Sequence, residues 1–392
     1  MKVMHVITGL NTGGAEMMLY RLLSRTDRTL FKPEVVSMTD VGPVGDRIRG
    51  LGVPVRALGM RRGVPNPLGV LRLARWIREN PPHAIQTWMY QADLLGGVAA
   101  RLCGGIPVAW GIHSTNLDPR KVSRLKVLTV RACARSSRLL ATRIVCCSES
   151  TRNYHQELGY VADKMLVILN GSDLTAYKPD SDAYKSMREE LRIRQGQPLV
   201  GLVARFDPAK DHHNFVRAAA LLHARLPEVN FVLCGDGITW TNPQLTGWID
   251  ATGIRDSFHL LGRRTDVPRL TAALDVASSA SLYGEAWPLT IGEAMACGVP
   301  CVVTNVGDQA SMVGQTGRVV PPGDPEALAD AWYEILAMSW DERTQLGMAA
   351  RRYAEEHFSL EEAVAKYERL YRELGDIKER SDALVSPIDS SS

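Results

Sequence analysis

The sequence contains no apolar run that approaches the roughly 20 residues needed for a bilayer-spanning helix, so the expected fold has no transmembrane helix. It also lacks the pattern of a cleaved leader. Residues 1–8 lead directly into a loop that begins at Gly9 and ends with Gly13 and Gly14, an order typical of a strand followed by a turn. These two absences predict a cytoplasmic protein.

Cysteines with the CxxC spacing of zinc and redox sites are also missing. There are seven cysteines, and this odd number predicts buried thiols in a reducing compartment rather than disulfides or a zinc site. The seven are Cys103, Cys133, Cys146, Cys147, Cys234, Cys297 and Cys301. A GxGxxG dinucleotide fingerprint is missing too, which disfavours a nicotinamide-dependent dehydrogenase.

Charge is distributed unevenly along the 392 residues. Residues 1–172 carry 24 Lys/Arg and 11 Asp/Glu, a net of +13, whereas residues 173–392 carry 22 and 32, a net of −10. A basic half and an acidic half suggest that one half faces an anionic partner, although unequal drift of surface charge would give the same totals.

Short strand-like runs alternate with longer helical patterns in two successive series, and the length suits two domains. Such alternation predicts α/β domains, each with a parallel sheet covered by helices on both faces. We predict a first domain at 1–172, a linker at 173–197 and a second domain at 198–358. A final helix follows at 359–376, and the tail at 377–392 is predicted to be disordered because it lacks an apolar face.

The first candidate site is Gly13-Gly14-Ala15-Glu16, between the first predicted strand and the first predicted helix. Glycine lets the backbone approach a ligand closely, and amides at a helix start attract an anion. A tight turn without a ligand fits these four residues equally well.

The second candidate site is a pair of cations, Arg205 and Lys210, after the first predicted strand of the second domain. The carboxyl ends of parallel strands border the crevice in which open α/β sheets bind ligands. Arginine offers a planar fork of donors and lysine a compact charge, which together suit a diphosphate. A solvated basic loop is the alternative interpretation.

The third and most specific candidate is the stretch 281–300, which has Glu285 in a predicted loop and Glu293 inside the following predicted helix. The amides of Leu289 and Thr290 open that helix, and amides there can hold a phosphate. Carboxylates can accept hydrogen bonds from sugar hydroxyls. A glutamate in such an apolar setting is expected to be paired or liganded.

These three motifs, in this order, resemble the large retaining glycosyltransferase family 4 over residues 1–375. Glu285 and Glu293 match its E-x7-E motif, and the Ala-Met-Ala-Cys-Gly-x-Pro run at 294–300 follows it. The resemblance implies the GT-B fold, in which two Rossmann-like domains face each other across a cleft. It also implies that the final helix returns to the first domain and that the crossover begins near Asn170 and Gly171.

The resemblance also implies roles for individual side chains. Arg205 and Lys210 would neutralise the departing diphosphate, Glu285 would bind hydroxyls of the transferred sugar, and Glu293 would bind the ribose. His113 lies where the family often has a histidine that reaches the sugar, although a lone histidine is more often structural. The remaining implied donor-binding positions are Gly13, Gly14, Arg263, Ala286, Leu289 and Thr290.

The chain departs from the family pattern at Ala286 and Pro288, where glycines are usual. Pro288 has no N–H, so one amide donor to the sugar or phosphate is absent. This departure bears on which sugar is bound more than on the type of reaction.

The resemblance implies that no metal and no other cofactor is needed, because Arg205, Lys210 and helix-start amides would meet the charge of the leaving diphosphate. Asp180-Ser181-Asp182 has the DxD form of metal-dependent glycosyltransferases of another fold, but it lies in the predicted linker and is interpreted as a polar turn. Retention in the family is attributed to front-face attack, which needs no pair of glycosidase-type carboxylates.

The expected reaction is transfer of a hexose or N-acetylhexosamine from a nucleotide diphosphate sugar, UDP rather than GDP, to a glycan or polyprenyl-linked acceptor. This would serve the assembly of cell-surface polysaccharide or glycolipid. Two alternatives stay open: a nucleotide-sugar epimerase of the same fold, for which no extra acid/base residues are identified, and a non-catalytic module that binds sugar nucleotides. No nucleic-acid partner is expected.

Residues 120–143 predict a basic amphipathic helix that contacts an anionic membrane from the cytoplasmic side. No acidic residue falls between Asp118 and Glu149, and leucines and valines lie among the cations. An ordinary solvated helix packed on the first sheet is the alternative. The cations are Arg120, Lys121, Arg124, Lys126, Arg131, Arg135, Arg138 and Arg143.

Overall fold

The computed structural model describes residues 1–61, 66–115 and 123–385. Contacts between Cα atoms divide the chain into two compact units. The first contains Met1–Asn170 and the chain from Leu360 onward, and the second contains Gly171–Ser359. Each unit is a parallel sheet with helices on both faces, which confirms the predicted fold class.

The sheet of the first unit has seven strands in the order β3-β2-β1-β4-β5-β6-β7. The strands are β1 (Lys2–Ile7), β2 (Lys32–Ser37), β3 (Val55–Ala57), β4 (Ala84–Trp88), β5 (Val108–Ile112), β6 (Arg143–Cys146) and β7 (Met165–Val167). All neighbouring strands are parallel, and in the pair formed by β1 and β4, Val3 lies opposite Ala84. The strand order reverses direction between β1 and β4, which is where open α/β sheets bind ligands.

The helices of the first unit are α1 (Gly14–Arg25), α2 (Gly42–Gly50), α3 (Pro67–Glu79), α4 (Tyr90–Leu102), α5 (Arg124–Leu140), α6 (Glu149–Glu157) and, at the end of the chain, α15 (Leu360–Val385). Alternate side chains of β1 point to opposite faces of the sheet. Met4 and Val6 pack in the core beneath α3, α4 and α5, whereas Val3 and Ile7 pack with α1, α2 and α15.

The last helix belongs to the first unit, as the resemblance implied. The prediction of a disordered tail from residue 377 is wrong for 377–385, because α15 continues to Val385. Lys378, Glu379 and Arg380 are good helix formers, and they extend a helix whose nucleation is already complete, so they need no apolar face of their own. Residues 386–392 of the predicted tail lie outside the described residues.

The sheet of the second unit has six parallel strands in the order β10-β9-β8-β11-β12-β13. They are β8 (Leu199–Val203), β9 (Asn230–Cys234), β10 (Phe258–Leu260), β11 (Val276–Ser279), β12 (Cys301–Thr304) and β13 (Gly317–Val320). The helices are α7 (Ser181–Glu190), α8 (His212–Arg225), α9 (Pro243–Asp250), α10 (Val267–Ala272), α11 (Leu289–Ala296), α12 (Gln309–Val313), α13 (Pro325–Leu336) and α14 (Trp340–His357). The order reverses between β8 and β11.

The segment predicted as a linker contains α7. Asp180 caps this helix, because its side chain accepts the backbone N–H groups of Asp182 and Ala183 at 3.0 and 2.9 Å. The DxD triplet is thus a helix start in the structure, with its first carboxylate used by the backbone.

A buried ion pair ties α7 to the second sheet. Arg188 contacts the carboxylate of Asp275, which directly precedes β11, and both side chains are buried. The backbone N–H of Leu199 donates to the same carboxylate at 2.8 Å, and Arg188 donates to the carbonyl of Gln197 at 2.6 Å.

Within the described ranges, no helix has the length and apolar character needed to cross a membrane. The seven cysteines are free thiols, and all except Cys103 are buried.

We predict that Arg188→Ala lowers the free energy of unfolding of the second unit by about 3 kcal/mol, because it removes the closer of the two cations that pair with the buried Asp275 carboxylate. The second cation, Arg343, lies 3.5 Å from the other carboxylate oxygen and keeps the loss at the lower end of the range for a broken buried pair. Denaturant titration measures this loss. Arg194→Ala is the control: Arg194 is exposed in the same segment, and its replacement should change stability by less than about 0.5 kcal/mol. Equal stability of the two variants would show that the ion pair does not hold α7.

Candidate functional site

Two loops meet where the strand order of the second sheet reverses. One follows β8 and carries Arg205 and Lys210, and the other follows β11 and carries Glu285. The backbone N–H of Leu282 donates to the carbonyl of Ala209 at 2.8 Å, which joins the loops directly. The structure therefore brings together two of the three predicted motifs at the carboxyl ends of adjacent parallel strands.

The centre of this site is the ion pair between Lys210 and Glu285. Glu285 is buried, and the hydroxyl of Ser281 donates to the same carboxylate oxygen at 2.6 Å. Burial alone would raise the pKa of Glu285, but the ammonium of Lys210 and the two hydrogen bonds outweigh it and hold the pKa below its usual value. Glu285 is thus ionised at neutral pH and can accept hydrogen bonds from hydroxyl groups of a ligand.

Arg205 extends further toward solvent than Lys210 and is oriented by Asp207. Its Nε donates to a carboxylate oxygen of Asp207 at 3.1 Å, and the other oxygen of Asp207 accepts the backbone N–H of Ala209 at 2.9 Å. Burial would raise the pKa of Asp207, but the Ala209 amide and the neighbouring cations lower it overall. Our sequence analysis missed Asp207, although Asp-Pro is a recognised turn signal.

Asp211 directly follows Lys210 and adopts a left-handed backbone conformation, with φ 46° and ψ 54°. This region favours glycine, so an aspartate here carries conformational strain. Its side chain offsets part of that cost, because it caps α8 by accepting the backbone N–H of Asn214 at 3.1 Å. The cap determines where the chain turns after Lys210, a role that the sequence pattern did not reveal.

Glu293 is buried within α11, and that helix begins at Leu289 as predicted. The N-cap residue is Pro288, which makes no side-chain hydrogen bond to the helix start. The backbone amides of Leu289 and Thr290 are thus the first two of the helix, where an anion is favoured. Ala286 is buried beside Glu285, and its carbonyl accepts the backbone N–H of Asp308 at 3.1 Å.

Arg263 follows β10, two strands away from the reversal point. It forms an ion pair with Asp236 at 3.3 Å, and both side chains are more than half exposed. A backbone hydrogen bond joins the loop after β9, which carries Asp236, to the loop after β10, which carries Arg263. In this bond the N–H of Gly235 donates to the carbonyl of Gly262 at 2.8 Å. Arg263 is therefore at the same edge of the sheet as Lys210 but closer to solvent.

The remaining predicted residues lie in the first unit. Gly13 is the N-cap of α1, and the carboxylate of Glu16 lies so close that it would have to move if residue 13 carried a side chain. Gly14 is exposed and has open space around it. The carboxylate of Glu16 offsets part of the positive potential at this helix start, whereas the space around Gly14 is open.

His113 follows β5, and its ring stacks on the indole of Trp88 at the end of β4, with centroids 5.0 Å apart and planes 14° from parallel. Burial lowers the pKa of His113 to about 4, although the neighbouring Asn170 side chain favours the charged form. The imidazole is therefore neutral at physiological pH and can donate one hydrogen bond and accept another.

Comparison with known proteins identifies the family of the chain. Residues 184–353 match the family described as Glycosyl transferases group 1, and residues 12–176 match Glycosyltransferase Family 4. The chain is 26% identical over 290 residues to the UDP-Gal:alpha-D-GlcNAc-diphosphoundecaprenol alpha-1,3-galactosyltransferase of Escherichia coli, covering 73% of each chain. It is 29% identical over 249 residues to the D-inositol 3-phosphate glycosyltransferase of Corynebacterium urealyticum, covering 60% of this chain and 57% of the other.

Solved structures share the fold. The crystal structure of Anabaena Alr3699/HepE in complex with UDP matches with a TM-score of 0.82 and 23% identity, covering 95% of this chain and all of the other. The two family matches together span both units, and the residues that they include carry the Lys210–Glu285 pair, the strand-end cations and the buried Glu293. The chain therefore belongs to the group 1, family 4 glycosyltransferases and is an enzyme of that class with the GT-B fold.

Proposed function

We propose that this glycosyltransferase transfers a hexose or N-acetylhexosamine from a UDP-sugar to a glycan or lipid-linked acceptor, with retention of the anomeric configuration. One observation carries the proposal. A lysine, an arginine and a buried ionised glutamate converge where the second sheet reverses its strand order. The two cations can bind the negatively charged diphosphate of a donor, and the carboxylate can accept hydrogen bonds from the hydroxyl groups of its sugar.

The electrostatics of the site suit a leaving diphosphate. As the glycosidic bond breaks, negative charge grows on the phosphate oxygens, and preorganised positive charge stabilises it. Lys210 is held in place by Glu285, and Arg205 by Asp207, so little reorganisation is required when the donor binds. The amides at the start of α11 add partial positive charge from the helix dipole.

The relatives favour the nucleotide and the acceptor class that we propose. The Escherichia coli relative is named for a UDP-galactose donor and a diphosphoundecaprenol acceptor, and HepE has been solved with UDP-glucose. By analogy, the acceptor of this enzyme is a lipid-linked glycan, and the product enters assembly of a cell-surface polysaccharide or glycolipid.

We also propose that retention proceeds by front-face attack, with a donor phosphate oxygen taking the proton of the acceptor hydroxyl. Glu285 is ion-paired to Lys210 at neutral pH, which suits binding of hydroxyl groups better than attack on the anomeric carbon. Catalysis then needs no divalent metal, because Arg205 and Lys210 supply the positive charge that a cation would provide.

We also propose that the protein is cytoplasmic and binds the membrane peripherally, and the exposed face of α5 supports this proposal. The helix packs its other side in the first core through Val130 and Cys133. Two leucines and four arginines are exposed: Leu128, Leu139, Arg124, Arg131, Arg135 and Arg138.

The remaining predicted cations contribute less to this surface. Arg143 pairs with Glu373, and Lys126 is partly buried, which lowers its pKa. Arg120 and Lys121 lie outside the described residues. Each exposed arginine near an anionic leaflet contributes about 1 kcal/mol, so four would give reversible binding.

We predict that Lys210→Ala and Arg205→Ala each lower the rate constant of sugar transfer by about 10²-fold, as expected for loss of a charge-stabilising group. Steady-state kinetics with a UDP-sugar measures this. Lys185→Ala is the matched control, because Lys185 is exposed in the same unit and has no ion pair among the described residues. Near-normal turnover in both test variants would remove these cations from the mechanism.

We predict that EDTA leaves turnover within about twofold of its normal value, since protein cations rather than a metal stabilise the leaving group. The measurement is initial rate before and after dialysis against EDTA. Loss of activity that manganese restores would contradict metal-independent catalysis.

We predict that the protein sediments with anionic vesicles at low salt and is released as salt screens the charges. The triple replacement Arg131→Glu, Arg135→Glu and Arg138→Glu should abolish sedimentation. Replacing three exposed cations of the second unit with glutamate makes the same change in net charge and should leave sedimentation intact. These are Lys185, Arg194 and Arg217. If both triple variants bind equally, net charge rather than α5 is responsible.

A further inference from the structure

His113 is part of a stack of aromatic side chains in the first unit, in which it contacts the ring of Trp88. On the far side of the stack, the ring of Tyr367 from α15 lies 5.8 Å from Trp88, with planes 27° apart. Trp88 is fully buried, as is Tyr367, so neither ring can turn freely. Residues at the carboxyl ends of β4 and β5 are thus connected by contact to the last helix of the chain.

A second contact fixes the edge of Trp88. Its indole N–H donates to Nδ1 of His5 in β1 at 3.3 Å. Burial, with a smaller effect of Arg28, lowers the pKa of His5 to about 3, so this imidazole is neutral and Nδ1 can accept the hydrogen bond. His5 in turn makes an edge-to-face contact with Tyr371, one helical turn beyond Tyr367.

We propose that Tyr367 is a positioning residue, which sets the orientation of the His113 imidazole through the ring of Trp88. This inference rests on the proposed function together with the role that the family resemblance implies for His113, that of a histidine that reaches the transferred sugar. It gives α15 a role in the reaction in addition to its part in the core of the first unit.

The contacts indicate that the ring of Tyr367, rather than its hydroxyl, performs this role. The hydroxyl oxygen is buried and has no hydrogen-bond partner among the described residues. A buried hydroxyl without a partner costs stability, so its removal should be harmless. Loss of the ring would instead open a cavity beside Trp88 and release the indole on which His113 stacks.

The surroundings of His113 supply a readout that is independent of turnover. Its pKa is lowered chiefly by burial, so any change that lets Trp88 move and water enter should raise the pKa toward the ordinary histidine value of about 6.5. A purely structural role of Tyr367 would lower stability and leave this pKa unchanged.

The experiment compares Tyr367→Leu, which removes the ring, with Tyr367→Phe, which keeps it. We expect Y367F to match the wild type in turnover and in the pKa of His113. Y367L should lower kcat by about 10- to 100-fold, as expected when a substrate-contacting group is misplaced. It should leave the KM for the donor unchanged and raise the His113 pKa. NMR titration of labelled imidazoles measures the pKa, with the His113 signal assigned by its absence in His113→Gln.

Leu374→Ala is the control for destabilisation, because Leu374 is fully buried in the same helix but is not in the stack. It should lower stability and leave kcat and the His113 pKa unchanged. If Y367L does not fold, Tyr367→Met serves the same comparison, because its unbranched, flexible side chain can fill more of the space left by the ring. A Y367L protein with normal kcat and an unchanged His113 pKa would overturn the inference.

His113→Gln separates this inference from the proposed function. If H113Q turns over normally, His113 does not contact the sugar, and the role that the family resemblance implies for it is wrong. The pKa shift in Y367L would still show whether Tyr367 positions the imidazole. If H113Q is impaired and Y367L has no effect on either quantity, the positioning inference alone fails.

Discussion

The buried ion pair between Lys210 and Glu285 is the interaction on which the proposed site depends. Removing a carboxylate from water is costly, and a buried pair is seldom the most stable arrangement available to a fold. Here the hydroxyl of Ser281 also donates a hydrogen bond to the Glu285 carboxylate. Glu285 therefore stays ionised although it is buried. The cost is understandable if the pair keeps a cation and an anion ready for a ligand that carries both phosphates and hydroxyls.

This pair also explains several features of the surrounding backbone. The turn at Asp207 and the strained cap at Asp211 bracket Lys210 on both sides, and both use aspartate side chains to hold backbone amides. In the loop after β12, Gly307 lies so near the backbone carbonyl of Glu285 that a side chain there would clash with it, and this contact supports the loop after β11. Each device restricts the loops after β8 and β11, so the charged groups stay in place without a ligand.

Much of this architecture could be predicted from local pattern. The two series of alternating strands and helices and the start of α11 at Leu289 were predicted correctly, because buried parallel strands and their helices are distinct apolar runs. The three motifs also indicated where the donor-side residues would be. The features missed depend on contacts between distant parts of the chain. The pairing of Arg188 with Asp275 and the stack of His113, Trp88 and Tyr367 have no signal in periodicity, and the short edge strand Val55–Ala57 has too few residues to show one.

The central claim is that Lys210 binds the diphosphate of a bound nucleotide. The most direct test compares UDP, which has the diphosphate, with uridine, which lacks it. The dissociation constants of UDP and of uridine would be measured by NMR titration for the wild type and for Lys210→Met. The account predicts that the variant binds UDP about 10-fold or more weakly, as for a lost hydrogen bond to a charged group, and binds uridine as the wild type does. Equal weakening for both ligands, or unchanged binding of UDP, would contradict the account.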